Sequence, residues 1–326
     1  MKILAVDDNS ITLGLLKMLA ARAGFTDILT ATSGEVALSM INKGDIVFDC
    51  LLLDISMPAM NGIELCGLVR AIPTYNKTPI IMLTAMTDKD NIDSAFIAGA
   101  TDYATKPFDV VELDARLRSA ETVVRNTKME LKKDFKETEQ SQSDQTQKQD
   151  SDLTGEIQIE GIDGLIGYDV FRNYIAQLSR AGLAGSQVIA VKIDQIDTIH
   201  AKASTDEFLY ALTEVADAIS DTIKTNGYMM AYAGNGIFLV VSNKASMESS
   251  VKMEAEIQHL LDERGTEYDN SDPLDIEIAI GNPIRPSFNK SQQIRKTFAR
   301  AIARAENRSL RRKNEPKLPY IRLIKK

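Results

Sequence analysis

The sequence predicts two bodies joined by a polar linker, an α/β domain built on a parallel sheet and a second, α+β domain. Three observations carry this. Over the first ~120 residues, short apolar strands alternate with helix-periodic segments, as in a parallel sheet with helices on both faces. From Lys136 to Asp152 there is no aliphatic or aromatic residue, so that stretch cannot bury enough surface to offset its ordering entropy. Beyond it, helical segments mix with a hairpin signal, which points to a sheet with helices on one face. A length of 326 residues suits two or three domains at roughly 100–200 residues each.

In the first domain the strand candidates are Ile3–Val6, Ile28–Ala31, Cys50–Leu53, Ile80–Leu83 and Asp102–Ala104. Continuous apolar runs such as Cys50-Leu51-Leu52-Leu53 fit strands covered on both faces. Ile11, Leu15, Met18 and Leu19 fall at i, i+4, i+7 and i+8, which predicts a helix with that face inward, and Asn9-Ser10 reads as its cap. The last helix does not stop where the sheet is covered. Val110, Leu113, Leu117, Ala120, Val124, Thr127 and Leu131 alternate three and four apart, about three heptads of an a/d seam. A homodimer through Leu113–Leu131 is therefore expected; the alternative is that the first half of the helix packs on the sheet. The chain divides into residues 1–124, a helical extension and flexible linker at 125–152, and residues 153–326.

The second half predicts a helix over Asp169–Arg180, a strand at Val188–Ile193 and a long helix near Asp206–Lys224. Strands Tyr228–Tyr232 and Ile237–Val241 flank Ala233-Gly234-Asn235-Gly236, a hairpin turn signal. A helix at Ser246–Glu263, a strand at Asp275–Ile280, a basic helix at Ser291–Arg308 and a last strand at Tyr320–Ile324 complete the reading.

Composition excludes several classes. No apolar run reaches the ~18 residues of a membrane span. Asp7-Asp8 follows the first apolar run at once, which leaves no room for a signal peptide, so a cytoplasmic protein is expected. Cys50 and Cys66 cannot build a disulfide framework and read as reduced core residues. With only His200 and His259, histidine-rich metal sites are excluded. The net charge of −8 hides a basic C-terminus: fourteen Lys/Arg face two Asp/Glu from Arg285 onward. Residues such as Arg300, Arg304 and Arg308 can track phosphates, but no helix-turn-helix pattern accompanies them. Ile294, Phe298, Ala301, Ile302 and Ala305 instead make an apolar stripe, so the segment is expected to pack on the acidic body of the protein rather than on DNA.

The chemistry gathers at the strand ends of the first domain. Asp7 and Asp8 end the first strand, Asp54 the third and Thr84 the fourth, and Lys106 follows the fifth. In a parallel α/β sheet these ends converge on one crevice. Three carboxylates there repel one another unless a cation joins them, and Mg²⁺ suits because it takes one or two carboxylates and keeps oxygen positions for phosphate. Lys106 supplies a point charge for a phosphoryl group and Thr84 a hydroxyl. The set suits phosphoryl transfer onto a carboxylate.

These residues resemble the receiver domain of two-component response regulators. The matching text is Val6-Asp7-Asp8-Asn9, Leu53-Asp54-Ile55-Ser56-Met57-Pro58-x-Met60-Asn61-Gly62, Leu83-Thr84-Ala85 and Gly99-Ala100-Thr101-Asp102-Tyr103-x-x-Lys106-Pro107-Phe108. The resemblance implies a flavodoxin-like (βα)5 fold and a sensor histidine kinase or phosphotransfer protein as donor. It implies Asp54 as phosphoacceptor and Asp7, Asp8, Asp54 and the Ser56 carbonyl as the Mg²⁺ site. Thr84 and Tyr103 would be the switch pair, Lys106 would bind the phosphoryl oxygen, and the Lys106–Pro107 bond would be cis. On phosphorylation Thr84 would move toward the phosphoryl oxygens and Tyr103 would turn inward.

The second half resembles a GGDEF domain, the diguanylate cyclase fold, in degenerate form. Asp163-x-Leu165-x-Gly167, Val191-Lys192-Ile193-Asp194-Gln195-Ile196, Ala231-Tyr232-Ala233-Gly234-Asn235-Gly236-Ile237-Phe238 and Ile278-Ala279-Ile280-Gly281 carry the likeness. Against the family pattern, Lys192 stands at the first metal-ligand position, and Asn235 and Gly236 replace the hairpin acids. His200 stands near the place of a guanine-binding Asn, and Lys224-Thr225-Asn226-Gly227 replaces the product-binding Arg-x-x-Asp. Neither lysine nor glycine supplies a carboxylate, so no cyclase activity is expected and the domain's output is interaction with an unknown downstream protein. The alternatives are GTP sensing through Lys192 and Asp206, or a divergent diguanylate cyclase.

Overall fold

The structure is a computed structural model that describes residues 1–85, 89–140, 157, 159, 161–178, 186–223, 227–242, 248–285 and 291–314. It separates into two compact units, Met1–Gln149 and Asp150–Lys326.

Unit one runs β1 (Ile3–Val6), α1 (Ser10–Arg22), β2 (Ile28–Ala31), α2 (Gly34–Lys43), β3 (Cys50–Asp54), α3 (Gly62–Arg70), β4 (Ile80–Thr84), α4 (Lys89–Ile97), β5 (Asp102–Thr105) and α5 (Val110–Gln140). The strands form a parallel sheet of order β2-β1-β3-β4-β5. β1, β3 and β4 are buried along their whole length, as their unbroken apolar runs require. Cys50 and Cys66 are both buried and free, and burial pushes their thiols up to about 12 and about 11.

Two helices differ from expectation. Asn9 does cap α1, accepting from the N–H groups of Ile11 and Thr12. Of the expected inward face only Leu19 is buried: Ile11 is 80% exposed and Met18 53%, while Leu13, Leu16 and Ala20 are buried in their place. The helix carries two overlapping apolar stripes of similar period, and packing against the sheet and α5 selects the other one. In α5 the seam is divided. Leu113, Leu117 and Ala120 are buried in the unit's own core, so they are not a seam for a second chain. Val123 and Met129, farther on, are exposed. The helix continues to Gln140, into the segment read as linker; residues 141–156 lie outside the described residues. Lys128 ties this extension to the base of the sheet, its ammonium 2.6 Å from Asp49, which also accepts the Lys2 N–H at 2.7 Å.

Unit two contains α6 (Tyr168–Leu178), β6 (Gln187–Ile193), α7 (Ile196–Lys202), α8 (Thr205–Ile223), β7 (Tyr228–Tyr232), β8 (Ile237–Ser242), α9 (Ser250–Arg264), β9 (Ile278–Ile280) and α10 (Ser291–Asn314). Its sheet is antiparallel, in the order β7-β8-β6-β9. The sequence shows no separate signal for α7. The expected strand Tyr320–Ile324 lies outside the described residues.

Helices cover this sheet on both faces, not on one. Ile189, Val191 and Ile193 of β6 join α8 and α9 in one core. The alternate face packs on α6 and α10, where Phe171 stacks on Phe298 with ring centroids 5.6 Å apart. The apolar stripe of the basic segment supplies that contact: Ile294, Phe298, Ala301 and Ala305 are all buried. Three of its arginines turn inward as well. Arg304 donates to the carbonyls of Asn282 and Pro283, Arg308 pairs with Glu254, and Arg312 with Glu277. The basic helix thus lies on the acidic body of its own unit.

Candidate functional site

The carboxyl ends of the unit-one strands meet at one rim. Asp7 follows β1, Asp54 closes β3, Thr84 closes β4, and Lys106 follows β5. Because β1 and β3 are hydrogen-bonded neighbours, topology alone places Asp7 beside Asp54. One carboxylate oxygen from each of Asp7, Asp8 and Asp54 lies within 4.8 Å of the others. Asp7 and Asp54 are buried and Asp8 is exposed. The Lys106 ammonium bridges the buried pair, 2.6 Å from Asp7 Oδ2 and 2.7 Å from Asp54 Oδ1. The Asn9 N–H donates to the other Asp7 oxygen at 2.9 Å.

The charges strain against one another. Burial pushes the Asp54 carboxyl above its ordinary value, and Asp7 and Asp8 push the same way, while Lys106 opposes. For Lys106, burial favours the neutral amine, but hydrogen bonds to Asp54 and Asp7 outweigh it and hold the ammonium above its ordinary range. Three carboxylate oxygens this close form a donor set that fits a hard divalent cation, and Asp7, Asp8 and Asp54 would hold it. Ser56 is exposed, two residues beyond β3 on the same rim.

The backbone around Asp54 is held from below. The loop after β3 turns back so that the Gly62 N–H donates to the Ile55 carbonyl at 3.1 Å, and Asn61 caps α3. A Cβ at Gly62 would lie 2.1 Å from the Asp54 carbonyl oxygen, so glycine is required by close approach. The Asn61-Gly62 pair is the sequence signal for this support. Thr84 is buried, and its carbonyl accepts the Lys106 N–H at 2.7 Å. Lys106–Pro107 is cis. Tyr103 is buried, its ring edge-on to Phe96 with centroids 6.5 Å apart.

The residues singled out in unit two lie on separate elements, β6, α7, α8 and the β7–β8 hairpin. Lys192 sits on the α10 face of β6, paired in register with Ile237 and Ala279. Asp206 is exposed in the first turn of α8, on the opposite face of the sheet. His200 packs edge-on against Phe208 at 4.8 Å. Asp194, two residues beyond Lys192, is buried and accepts from the Ser309 hydroxyl of α10, with Arg312 at 3.8 Å. At the hairpin tip Gly234, Asn235 and Gly236 all have positive φ. A Cβ on Gly236 would meet the Ile196 side chain at 2.9 Å. Among the described residues, no trio of metal-ligating side chains other than Asp7, Asp8 and Asp54 comes together.

Unit one is thus a parallel α/β domain with an acidic cluster at the carboxyl ends of its strands. Residues 3–118 match the response regulator receiver domain family. The chemotaxis protein CheY of Pseudomonas aeruginosa is 39% identical over 117 residues, which cover 36% of this chain and 93% of that protein. The transcriptional regulatory protein YvrH of Bacillus subtilis is 38% identical over 117 residues, 36% of this chain and 47% of that protein. This chain thus spans about half of YvrH. A crystal structure of a putative response regulator from Chloroflexus aurantiacus matches at 37% identity and a TM-score of 0.35, over 36% of this chain and 95% of that one. Through its first unit, the chain belongs to the response regulator receiver family.

Proposed function

We propose that the protein is a phosphorylation-dependent response regulator of a two-component pathway acting in the cytoplasm, in which Asp54 takes a phosphoryl group from the phosphohistidine of a sensor kinase or phosphotransfer protein. The observation that carries this is the Asp7–Asp8–Asp54 cluster with Lys106 set between two of its members. An Asp54 carboxylate oxygen attacks phosphorus, and the phosphorus–nitrogen bond to the donor histidine breaks; the electron pair stays on that nitrogen, and the proton on the ring's other nitrogen makes the leaving group neutral imidazole. A bound Mg²⁺ would supply the charge neutralisation that phosphoryl oxygens need beside carboxylates. Lys106 gives up its bond to Asp54 and pairs with a phosphoryl oxygen, and the Thr84 hydroxyl donates to another. The exposed α1 ridge of Ile11, Leu15 and Met18 begins beside the acidic rim and offers the donor an apolar contact.

The second unit is read as a degenerate GGDEF-like domain that acts by binding another protein. Support comes from Lys192, Asn235 and Gly236 at the positions where the family pattern places acids, and from the hairpin tip packed against Ile196, which leaves no space for a longer side chain at 236. In unit one, the stretch of α5 beyond Ala120, with Val123 and Met129 exposed, is the surface proposed for self-association.

The test is labelling of the full chain by a small phosphodonor with Mg²⁺. Wild type is expected to take up about one phosphate and Asp54→Asn none; equal labelling of both refutes the assignment. Titration of GTP into the same chain is expected to show no binding, and GTP turnover would overturn the reading of the second unit. The same mass with and without phosphodonor, monomeric in both, would refute self-association through α5.

A further inference from the structure

Charge is sorted across the second sheet. α8, on the face built from Ile189, Val191 and Ile193, contains five Asp/Glu and no Lys/Arg. α10, on the alternate face, contains eight Lys/Arg and one acid, Glu306. Part of each set is taken up within the unit. Arg264 of α9 holds Glu214, Asp217 and Asp221 of α8, and Arg304, Arg308 and Arg312 turn inward from α10. The remainder faces outward.

On α10, Lys296, Arg300, Ala303, Asn307 and Leu310 recur at i, i+4, i+7, i+11 and i+14, so they share one side of the helix, and all five are exposed. Arg295 and Arg311 flank that line and are exposed too. Among the described residues, Arg295, Lys296, Arg300 and Arg311 have no ion pair. On α8, Asp206, Tyr210, Glu214, Asp217 and Asp221 recur at i, i+4, i+8, i+11 and i+15, and Asp206, Tyr210 and Asp221 are exposed. Asp269 adds to the acidic side at the start of α8, its N–H donating to Glu207 at 2.7 Å. At a rise of about 1.5 Å per residue the acidic line runs about 22 Å and the basic one, from Arg295 to Arg311, about 24 Å. Each carries one exposed large apolar side chain, Tyr210 and Leu310. The sheet lies between the two lines, so one copy cannot bring them together, whereas two copies can. The chain's own C-terminus, with four Lys/Arg and no acid after Glu315, has the wrong sign to cover α10.

We propose that the outward line of α10 docks on the acidic line of α8 of a second copy of this chain. The contact is heterologous: each copy presents one line on either side of its sheet, so pairing leaves a line open at each end and continues beyond two copies. Its ion pairs are exposed, so the association is weak and strongest at low salt. That salt dependence is diagnostic, because a chain of net charge −8 without such a contact repels its copies more as salt is lowered.

The test follows mass against concentration by sedimentation, on the full chain without phosphodonor, at ~20 mM and ~0.5 M salt. At low salt the wild type is expected to grow past the dimer as concentration rises, and at high salt to keep its smallest mass. Growth past the dimer also separates this contact from the pairwise one proposed for α5. Lys296→Glu/Arg300→Glu and Asp206→Lys/Asp221→Lys are each expected to lose the growth, with a dissociation constant raised roughly tenfold or more. An equimolar mixture of the two should regain it, because each reversed line then meets its opposite. Lys17→Glu/Lys43→Glu makes the same charge change as the α10 variant at exposed sites of unit one and should behave as wild type. A wild-type mass independent of salt overturns the proposal. So does growth that stops at the dimer, a unit-one control that loses growth as fully as the α10 variant, or a mixture that stays apart. If the reversed α8 fails to fold, Asp206→Asn/Asp221→Asn is judged by the same loss of growth.

Discussion

Substituting Gly62 by alanine places a methyl group against the backbone of the phosphoacceptor itself. The new Cβ would lie 2.1 Å from the Asp54 carbonyl oxygen, 2.8 Å from its carbon and 3.2 Å from Ile55 Cα. Ordinary contact distances are roughly 3.5 Å, so the Asp54 peptide or the start of α3 must move by about 1 Å. Neither is a flexible side-chain end that can swing away. Overpacking of this kind costs about 1–3 kcal/mol, offset in part by the ~0.5–1 kcal/mol that alanine gains over glycine in a helix. A net loss of about 1 kcal/mol lowers the melting temperature of a domain this size by roughly 3–6 °C. Displacement of the reacting carboxylate by about 1 Å should slow labelling by roughly 10–100-fold. The control is Gly67→Ala in the same helix, where a Cβ meets nothing within 4 Å. That variant should be slightly more stable than wild type and label normally. Melting curves of the full chain, with the unit-one transition identified by its response to Mg²⁺, and phosphodonor labelling decide the matter. If Gly62→Ala melts and labels like Gly67→Ala, the close approach does not hold Asp54 and the reasoning fails.

Removing the Lys106 ammonium in Lys106→Met should destabilise the Mg²⁺-free protein by about 1–3 kcal/mol, because two buried carboxylates lose their counter-charge. The same variant should gain more from added Mg²⁺ than wild type does; equal Mg²⁺-induced melting shifts would count against the bridging role. Asp49 is partly buried, which raises its carboxyl, but hydrogen bonds from Lys128 and the Lys2 N–H outweigh this and hold it below the usual range. A lowered folded-state value stabilises above the unfolded-state value, and the contribution disappears as pH falls through the folded-state one. Asp49→Asn should therefore be less stable than wild type at neutral pH, by no more than about 1 kcal/mol for so exposed an ion pair, and the gap should close as pH drops below the ordinary carboxylate range. A gap independent of pH in denaturant titrations would contradict the coupling. Gly236→Glu should restore no GTP turnover and should cost about 1–3 kcal/mol, since its side chain meets Ile196 and its backbone has positive φ. A turnover assay and a melt check both halves.

The gathering of Asp7, Asp8, Asp54 and Lys106 at one rim was legible because its parts are local. Each of Asp7, Asp54, Thr84 and Lys106 sits at or just past the end of an apolar run, and a parallel sheet brings such ends together whatever covers its faces. The helix faces were less legible. Ile11, Leu15 and Met18 satisfy the helical period as well as Leu13, Leu16 and Ala20 do, and periodicity alone does not say which stripe the sheet covers. The seam of α5 shows the same limit, since Leu113 and Leu117 suit a partner helix and their own core equally well.

The amino-acid sequence by itself determined the strand order of chemistry at the first rim, the polar break between two units, and the fate of the basic segment, whose apolar stripe packs on its own sheet. These follow from short-range pattern: strand ends, composition and helical period. Tertiary structure alone decided the pairs far apart in the chain. Asp194 meets Ser309 across 115 residues, Lys128 reaches Asp49 across 79, and Arg308 meets Glu254 across 54. It also decided that helices cover both faces of the second sheet. The physical reason is that a side chain's period states which way it faces along its own element, whereas the partner it meets there depends on how separate elements stack, and that choice is made only when the whole core packs.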